Sequence, residues 1–464
     1  MPHVAIIGAY GSAGVAAAGE LVDESDVELT LIDDGEPGGG LCILRGCMPS
    51  KEVISAGAHR FGARHDERLT GDLPDVDLER VVETKDDHVL GFAEHRREAV
   101  HEMAERDDVE FLHETARFVD DRTLAVGDRT IEPDYVVIAT GSTVNVPHID
   151  GIDDVDYTTS ADVLDATDLP ESGVVMGFGY VGLELVPYIA EAGTSLTVIE
   201  HDERPLDEAD PEYGDELLDL YEDEWDVDVL TKTDEERLEQ TDDGGVRLHL
   251  DGERDVVEAD ELFLFTGRRP SIDGLGLENT ALDPGSGWVR DTMQARDDER
   301  VFVVGDVNGH EPILHVAKEQ GFKAAENVLS HCREQVLSPY ENVHHHVIFS
   351  GLGVYPFARV GHSVESAEAK GIDHVAVTRE ASDDGVFKSK DVPEGRATLV
   401  VDPDDGTVLG YQGLHYHADA MAKTMQVVVE MELDVRDLPD RAYHPTTPEI
   451  LDGLFREASD RVEE

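Results

Sequence analysis

Residues 173–200 carry a pattern that few folds accommodate. An apolar run ends in the glycine-rich loop Gly177–Gly182 (GFGYVG), a helix-forming stretch follows, and a second apolar run ends in Glu200. A glycine-rich turn between a strand and a helix lets a pyrophosphate approach the helix N-terminus, and an acid about 20 residues further on binds a ribose hydroxyl. The pattern predicts a dinucleotide-binding βαβ unit whose ligand-binding residues are Gly177, Gly179, Tyr180, Gly182 and Glu200.

The N-terminal segment repeats this pattern less regularly. Strand His3–Gly8, helix Gly14–Val22 and strand Glu28–Asp33 are indicated in turn. The loop glycines are Gly8, Gly11 and Gly14. Tyr10 stands where the second glycine of GxGxxG belongs, unless one residue is inserted. A tight turn without a nucleotide is the alternative, but we expect a second dinucleotide site with Asp33 at a ribose.

Further apolar strands end in residues suited to ligand binding. They are Tyr135–Gly141, a run within Leu262–Pro270 that we expect to return the chain to the first sheet, and Val301–Asp306. In doubly wound folds, ligands lie at the carboxyl ends of the strands. The candidate residues at these ends are Thr140, Gly141, Gly267, Arg268, Gly305 and Asp306.

Residues 38–51 (GGGLCILRGCMPSK) contain two of the three cysteines. Cys42 and Cys47 are five positions apart, which in a regular helix is about 7.5 Å of rise and exceeds the roughly 6.8 Å limit for bridged Cα atoms. A bridge therefore needs a distorted first turn, which Gly46 and Pro49 favour. A thiolate is stabilised near a helix N-terminus, so we interpret the pair as a redox-active disulfide against a flavin. Two buried free cysteines or half a zinc site are the alternatives, although zinc usually needs two more ligands at matched spacing and the sequence has no second Cys pair.

The chain is extremely acidic. It holds 37 Lys and Arg against 104 Asp and Glu, a formal net charge of −67, and the acids are spread throughout. Such a chain repels itself in dilute buffer, but at about 1 M salt the Debye length falls to roughly 3 Å. We interpret this as adaptation to a cytoplasm of molar salt, as in halophilic archaea; an acidic binding surface is the alternative. Neither a nucleic-acid partner nor a membrane span is expected, and scarce cysteines without a visible signal peptide favour the cytoplasm.

The remaining chain predicts three kinds of domain. Residues 51–106 indicate a long helical region, and 315–331 indicate another helix. From about residue 339, five strands (347–350, 358–361, 374–378, 397–401 and 408–414) and two helices (419–431 and 448–459) indicate an α+β domain. The fold class is α/β, with two Rossmann-like dinucleotide-binding domains and a C-terminal α+β domain. The expected boundaries are 1–143 and 265–338 for the first dinucleotide-binding domain, 144–264 for the second, and 339–464 for the C-terminal domain.

Two further groups of residues are weaker candidates for a site, and we interpret both as structural. The run His344–His346 could chelate a metal, but further ligands are not evident, so a loop or strand entrance is preferred and no metal is expected. Cys332 is expected to be a small buried residue at a helix end.

The motifs together resemble the class I pyridine nucleotide-disulfide oxidoreductases. This family includes dihydrolipoamide dehydrogenase, glutathione reductase and mercuric reductase. The resemblance rests on GGGLCILRGCMPSK, GFGYVGLE, TGRRP, VFVVGD and the segment His444–Glu449 (HPTTPE).

The resemblance implies specific roles. FAD lies on the first domain, with Asp33 at the adenosine ribose and Asp306 near the ribityl chain, and the nicotinamide cofactor lies on the second, with Tyr180 as its gate over the flavin. The remaining implied roles are the flavin-contacting thiol Cys47, the exchange thiol Cys42, the ion pair Lys51–Glu184 near flavin N5, and the acid-base pair His444–Glu449. In relatives that pair completes the site of the other subunit, so a homodimer is expected, with the C-terminal α+β domain (residues 339–464) as its dimerisation domain. Imidazole titrates near neutrality and suits this proton transfer.

The expected reaction is NAD(P)H:disulfide oxidoreduction, most like that of dihydrolipoamide dehydrogenase, with NAD(H) favoured because Glu200 repels a 2′-phosphate. Departures from the family pattern, Ile43-Leu44-Arg45 and Ser350–Pro356 among them, put lipoamide specificity in question. The alternative is reduction of a small-thiol disulfide such as bis-γ-glutamylcystine or a glutathione-like molecule. Mercuric reductase, disfavoured because a C-terminal cysteine pair is lacking, and a non-catalytic flavoprotein subunit rank lower. A 2-oxoacid dehydrogenase complex is a possible partner of the dehydrogenase.

Overall fold

The computed structural model describes residues 1–24, 26–252 and 254–462. The helices are α1 (Ser12–Val22), α2 (Leu41–Arg45), α3 (Cys47–His65), α4 (Leu78–Met103), α5 (Ser160–Leu164), α6 (Tyr180–Glu191), α7 (Pro211–Trp225), α8 (Leu314–Cys332), α9 (Val364–Lys370), α10 (Gly385–Lys390), α11 (Ala418–Glu430) and α12 (Glu449–Ser459). The strands are β1 (His3–Ile7), β2 (Glu28–Ile32), β3 (Val109–Leu112), β4 (Ala116–Asp120), β5 (Thr123–Val126), β6 (Arg129–Ile131), β7 (Tyr135–Ile138), β8 (Ser142–Val144), β9 (Thr158–Thr159), β10 (Ser172–Met176), β11 (Ser195–Ile199), β12 (Asp228–Leu230), β13 (Asp234–Gln240), β14 (Val246–Asp251), β15 (Val256–Ala259), β16 (Glu261–Leu264), β17 (Arg268–Pro270), β18 (Val301–Val303), β19 (His345–Ile348), β20 (Phe357–Gly361), β21 (Val375–Glu380), β22 (Gly395–Val401) and β23 (Val408–His415).

The chain divides into two compact units. The first unit consists of residues 1–49, 83–145 and 268–342, and the second of residues 50–82, 146–267 and 343–464. Each unit contains a Rossmann-like parallel sheet, and the second also contains the C-terminal α+β domain, as the fold class requires.

The first unit is built on a parallel sheet with strand order β18-β7-β1-β2-β3. Its central strands are apolar on both faces because helices or strands cover each face, and Val4, Ile6 and Val137 are fully buried. Helices α1 and α8 pack closely because small residues face each other: a Cβ on Gly321 would come within 3.0 Å of the Ala16 Cβ. An antiparallel sheet, β4-β5-β6, and the pair β17-β8 complete this unit.

The second unit contains a parallel sheet with strand order β12-β11-β10-β16-β9 and an antiparallel sheet, β13-β14-β15. Our expectation that residues 262–270 return the chain to the first sheet was wrong for its strand, because β16 pairs with β10 in register Val174↔Leu262. The chain re-enters the first unit only at Arg268.

The C-terminal domain is an antiparallel sheet with strand order β19-β20-β23-β22-β21. Its strands lie within a residue or two of the expected positions, and β19 begins earlier, at His345. Helices α11 and α12 pack on the sheet through apolar stripes that include the buried residues Met425 and Leu454.

Two expectations need adjustment. The helical region 51–106 is two helices, because Pro74 lies between them and the Asp77 carboxylate accepts from the Arg80 amide at 3.0 Å to start α4. Cys332 is half-buried rather than buried. Among the described residues, none of the helices combines the length and the apolar character that a membrane span requires.

Candidate active site

The two cysteines flank a break between two helices. Helix α2 ends at Arg45, α3 begins at Cys47, and Gly46 between them has φ −133° and ψ −121°, so the turn is distorted as the bridge would need. A Cβ on Gly46 would lie 3.1 Å from the Cys42 Cα, which explains a glycine at this position. Cys42 is half-buried and Cys47 is exposed, and both are thiols. A hydrogen bond with Cys47, and then burial, raise the pKa of Cys42, whereas the charge of Arg96 acts to lower it.

The first glycine loop contains the one-residue insertion. Gly8 has φ +93° and follows β1, and Gly11 is the residue that precedes the first turn of α1. A Cβ on Gly14 would collide with the Gly8 carbonyl and lie 3.1 Å from the Ala9 Cα, so Gly14 allows α1 to approach the strand end. The three glycines therefore have the roles of a GxGxxG loop with Ala9 inserted.

Asp33 fixes this loop. Its carboxylate accepts from the backbone N–H of Tyr10 at 2.9 Å and from that of Gly35 at 2.9 Å. Burial raises the pKa of Asp33, and these two hydrogen bonds oppose the increase. The Tyr10 ring is 2% exposed, contacts Phe111 at a centroid distance of 5.2 Å, and its hydroxyl lies 2.8 Å from the His101 Nε2.

The other strand ends of the first unit carry further ligand-type groups. Ser142 donates to the Asp306 carboxylate at 2.7 Å, and Arg268 Nε donates to the Ser142 hydroxyl at 2.9 Å. Thr140 donates to the Ser271 carbonyl at 2.7 Å. Gly141 has φ +69° and no atom within 4 Å of the position where a Cβ would be, so the chain there leaves open space.

These residues fit a flavin dinucleotide. The N-terminus of the 11-residue helix α1 carries the positive dipole end that a pyrophosphate needs, behind small residues that permit close approach. The carboxylates of Asp33 and Asp306 supply acceptors for sugar hydroxyls, and Gly305 has φ +76° at the end of β18. FAD bound here would involve Gly8, Gly11, Gly14, Asp33, Thr140, Gly141, Arg268, Gly305 and Asp306.

The second glycine loop is regular. Gly177 has φ +95°, Gly179 precedes the first turn of α6, and a Cβ on Gly182 would lie 2.7 Å from the Gly177 carbonyl oxygen. Nothing lies within 4 Å of the position that a Cβ on Gly179 would take, and the same is true of Gly267. The loop therefore offers an open approach to the helix N-terminus.

Glu200 stands at the end of β11 beside this loop. Its carboxylate accepts from the Asp202 amide at 2.9 Å and from the Phe178 amide. Burial raises the pKa of Glu200, and both hydrogen bonds oppose that increase. The nearby cations are engaged by acids: His201 pairs with Glu235, and Arg204 Nε lies 2.7 Å from Asp215.

Tyr180, the first residue of α6, lies beside the second glycine loop and is fixed there by two contacts. The residue is 41% exposed, its ring stacks on His346 at a centroid distance of 5.4 Å, and its hydroxyl donates to Glu208 at 2.7 Å. Burial alone would raise the pKa of Glu208, but hydrogen bonds from His346 and Tyr180 outweigh it and hold that pKa at about 2. The His346 Nδ1 lies 2.8 Å from the His344 Nε2, so two residues of the histidine run help to fix the Tyr180 ring. Within the described residues, no group of His, Cys, Asp and Glu side chains is arranged to hold a metal.

Lys51 and Glu184 come together within the second unit. The Lys51 Nζ lies 2.7 and 2.8 Å from the two carboxylate oxygens of Glu184, and it also lies 4.4 Å from the centroid of the Phe349 ring. Glu184 accepts a further hydrogen bond from the Phe349 amide at 3.2 Å. The lysine head is therefore fixed by several partners, although 30% of its side chain stays exposed.

His444 and Glu449 form a pair at the start of α12. The His444 Nδ1 lies 3.0 Å from the Glu449 carboxylate, which also accepts from the Thr446 amide at 2.8 Å. The hydrogen bond from His444 lowers the pKa of Glu449. With Nδ1 donating to Glu449, the Nε2 of His444 is left to exchange a proton, and 82% of this side chain is exposed.

Sequence reasoning missed Arg96, Glu208 and His346 as neighbours of the predicted site residues. Arg96 lies in a polar helix and Glu208 lies in the loop between β11 and α7, and neither belongs to a recognisable motif. His346 was visible in the histidine run, but the pattern favoured a strand entrance, and the structure places it at that strand with a ring contact that no local spacing predicts.

Comparison with known proteins agrees with this architecture. Residues 2–321 match the pyridine nucleotide-disulphide oxidoreductase family model, and residues 347–454 match the dimerisation domain of that family. The chain therefore belongs to the class I pyridine nucleotide-disulfide oxidoreductases, a family of flavoproteins, and this membership supports FAD as cofactor and a homodimeric assembly.

The similar proteins differ in their named activities. A dihydrolipoyl dehydrogenase from Halobacterium salinarum is 30% identical over 466 residues, 96% of this chain and 94% of the relative. A mercuric reductase from Bacillus cereus is 29% identical over 450 residues, 93% of this chain and 67% of the relative. In fold, the chain is similar to the HOCl-induced flavoprotein disulfide reductase RclA from Escherichia coli, with a TM-score of 0.83 at 22% identity, covering 98% of this chain and 99% of that one.

Proposed function

We propose that the chain is an FAD-dependent NAD(P)H:disulfide oxidoreductase that uses Cys42 and Cys47 as its redox pair, most like dihydrolipoamide dehydrogenase. The observation that carries the proposal is the hydrogen-bonded thiol pair at a helix break, where a Cβ on Gly46 would crowd the Cys42 backbone. FAD, when bound, supplies two-electron transfer between the nicotinamide and the disulfide.

The residues of the chain account for the thiol chemistry. The thiolate of Cys42 attacks one sulfur of the substrate disulfide and displaces the other as a thiolate, and Cys47 then displaces the first sulfur and restores the Cys42–Cys47 disulfide. In the homodimer that the family resemblance implies, the partner subunit's His444 takes the proton of Cys42 and returns it to the departing thiolate, and the partner subunit's Glu449 orients the imidazole. The net exchange converts one enzyme dithiol and one disulfide into one enzyme disulfide and two thiols. Dihydrolipoamide oxidation follows the same steps in reverse.

NADH is the preferred nicotinamide cofactor in this proposal. The Glu200 carboxylate accepts from a 2′-hydroxyl and repels a 2′-phosphate. The two cations that would favour a phosphate are engaged, because His201 pairs with Glu235 and Arg204 pairs with Asp215. The remaining roles proposed are those of Lys51 with Glu184 beside the flavin, and of Gly177, Gly179, Tyr180, Gly182 and Gly267 at the nicotinamide cofactor.

A small-thiol disulfide is the second candidate substrate. Arg45, on the helix that carries Cys42, is exposed and stands in the segment that departs from the family pattern. A guanidinium there favours a disulfide with carboxylates, such as bis-γ-glutamylcystine, over neutral lipoamide.

The test is NADH and NADPH oxidation by the purified holoenzyme in molar KCl. Lipoamide, bis-γ-glutamylcystine, glutathione disulfide and Hg(II) are offered separately. Lipoamide turnover with NADH supports the dehydrogenase, and turnover confined to a small-thiol disulfide supports the second candidate. Cys42→Ser abolishes disulfide turnover and Cys332→Ser, the matched control, preserves it. Undiminished turnover by Cys42→Ser refutes the thiol mechanism, and reduction of Hg(II) alone refutes both substrates.

A further inference from the structure

Helix α4 packs against the segment that leads into Cys42. A Cβ on Gly39 would lie 3.0 Å from the Cβ of Ala93, so the two backbones approach closely. One turn further along α4, Arg97 donates to the Gly38 carbonyl at 3.1 Å. This face of α4 therefore supports the cysteine segment from behind.

Arg96 lies on the same face and reaches the start of α2. Its guanidinium donates to the Tyr10 carbonyl at 3.0 Å. A Cβ on Gly40 would lie 3.1 Å from that same carbonyl oxygen. Because Gly40 is two residues before Cys42, the guanidinium stands where the chain turns into the helix that carries the thiol.

The charges that act on Cys42 come from two neighbouring helices. Cys47 on α3 raises the pKa of Cys42 through its hydrogen bond and its own charge, and Arg96 on α4 acts in the opposite direction. Burial lowers the pKa of Arg96, and the charge of Cys42 opposes that decrease. A guanidinium nevertheless stays charged throughout the working pH range, so its effect on the sulfur is permanent.

We propose that Arg96 is a positioning residue that stabilises the thiolate of Cys42 during disulfide exchange. The proposal rests on the proposed function. Arg96 supplies a permanent positive charge near Cys42, whereas the partner subunit's His444 transfers the proton. When the Cys42 thiolate attacks, a new S–S bond forms and the S–S bond of the substrate breaks. The electron pair leaves with the second substrate sulfur, which receives its proton from the partner subunit's His444. Arg96 exchanges no proton and stabilises only the starting anion.

The experiment measures Cys42 reactivity without any disulfide substrate. FAD-loaded enzyme is reduced anaerobically with dithiothreitol, separated from it, and pulsed with iodoacetamide at a series of pH values. Mass spectrometry of the Cys42 peptide gives the alkylation midpoint. We expect R96Q to raise this midpoint and to slow alkylation near neutral pH by about three- to tenfold, since a single partly buried charge shifts a pKa by roughly half to one unit. R97Q, which removes the adjacent arginine, keeps the parent midpoint.

Two outcomes overturn the proposal: a parent-like midpoint in R96Q, or an equal shift in R97Q, which would make the effect structural. If R96Q binds too little FAD, the same measurement is made on R96K, because lysine keeps the positive charge but lacks the planar guanidinium that bonds the Tyr10 carbonyl. A parent-like midpoint in R96K supports the charge, and an upward shift of roughly half to one unit overturns the proposal by assigning the effect to the Tyr10 contact. Because no disulfide is present, an enzyme that reduces none of the offered disulfides refutes the proposed function and leaves this result standing.

Discussion

The first glycine loop is covered by its own unit, whereas the second is open. In the first, residues 38–40 lie over the loop: a Cβ on Gly40 would come within 3.1 Å of the Gly11 Cα, and one on Gly38 would strike the Tyr10 ring. In the second, the residue equivalent to Gly11 is Gly179, and a Cβ there would meet nothing within 4 Å. The difference matches a cofactor that stays bound during turnover and one that must leave.

Both loops nevertheless use one device. The residue before the second loop glycine is aromatic, Tyr10 in one and Phe178 in the other, and its amide donates to the acid at the end of the next strand. Both aromatic rings are buried, and only the first loop has an additional residue, Ala9, ahead of its aromatic. A dinucleotide loop is therefore defined by the contacts of its backbone rather than by an invariant spacing.

The largest expected effect is at the covered loop. Gly14→Ala would place its Cβ against the Gly8 carbonyl, with the carbonyl carbon at 2.9 Å, and α1 would have to move away from the loop. We expect the bound FAD per chain, measured by absorbance after gel filtration, to fall about tenfold or more. Gly19→Ala in the same helix, with no atom within 4 Å, should bind FAD normally. Full flavin content in Gly14→Ala would contradict the assignment of Gly14 as the third glycine.

The open loop should respond differently. Gly179 has φ −73°, which alanine adopts without strain, so Gly179→Ala should fold and keep its flavin. Its Cβ would stand where the pyrophosphate approaches the helix, and we expect the KM for NADH to rise about tenfold, equal to about 1.4 kcal/mol. Steady-state kinetics measure the KM, and absorbance after gel filtration measures the flavin content. Loss of FAD with an unchanged KM would reverse the distinction between the loops.

Tyr10→Phe should have a smaller effect. The variant keeps the ring in its contact with Phe111 and loses the hydrogen bond to His101. We expect a loss of about 1 kcal/mol in the free energy of unfolding, with flavin content unchanged. Thermal unfolding in molar KCl measures the first quantity. A loss of flavin instead would mean that the hydroxyl, not the backbone, supports the loop.

The smallest effect is the pH dependence at Glu200. Burial raises the pKa of Glu200 in the folded state above its value in the unfolded chain. The protonated form therefore stabilises the fold fully below the unfolded pKa. This contribution to the free energy of unfolding is lost as pH rises through the folded pKa. Glu200→Gln keeps an acceptor oxygen and has no such dependence. The unfolding temperature of Glu200→Gln relative to the parent should therefore increase from about pH 4 to about pH 7. A difference that shrinks over this range would contradict the direction of the shift.

The sequence predicts what is local and misses what is distant. The strands and loops around Gly8 and Gly177 follow from apolar runs that end in glycine, and the break at Gly46 follows from the cysteine spacing. The pairing of Lys51 with Glu184 was implied by the family and appears in the structure. Antiparallel strands β13–β15 were not predicted, because more than half of their residues are polar.

Long-range contacts explain the other omissions. Glu208 and His346 meet at Tyr180 although no motif connects them, and Arg96 finds its acceptor at Tyr10. The sequence alone does not decide whether Ala9 is inserted, because it does not show which residue caps α1. Only the backbone contacts of Gly11 and Gly14 decide it.

The hydrogen bond from the Phe178 amide to Glu200 has a consequence for protein engineering. An experimenter who wants this enzyme to use a phosphorylated coenzyme would replace Glu200 by a small or basic residue. That replacement would also remove the acceptor that ties the loop to the strand, so the redesigned enzyme would lose catalytic efficiency with both coenzymes. A successful redesign needs a neutral acceptor at position 200 and a new cation elsewhere, for example by releasing Arg204 from Asp215.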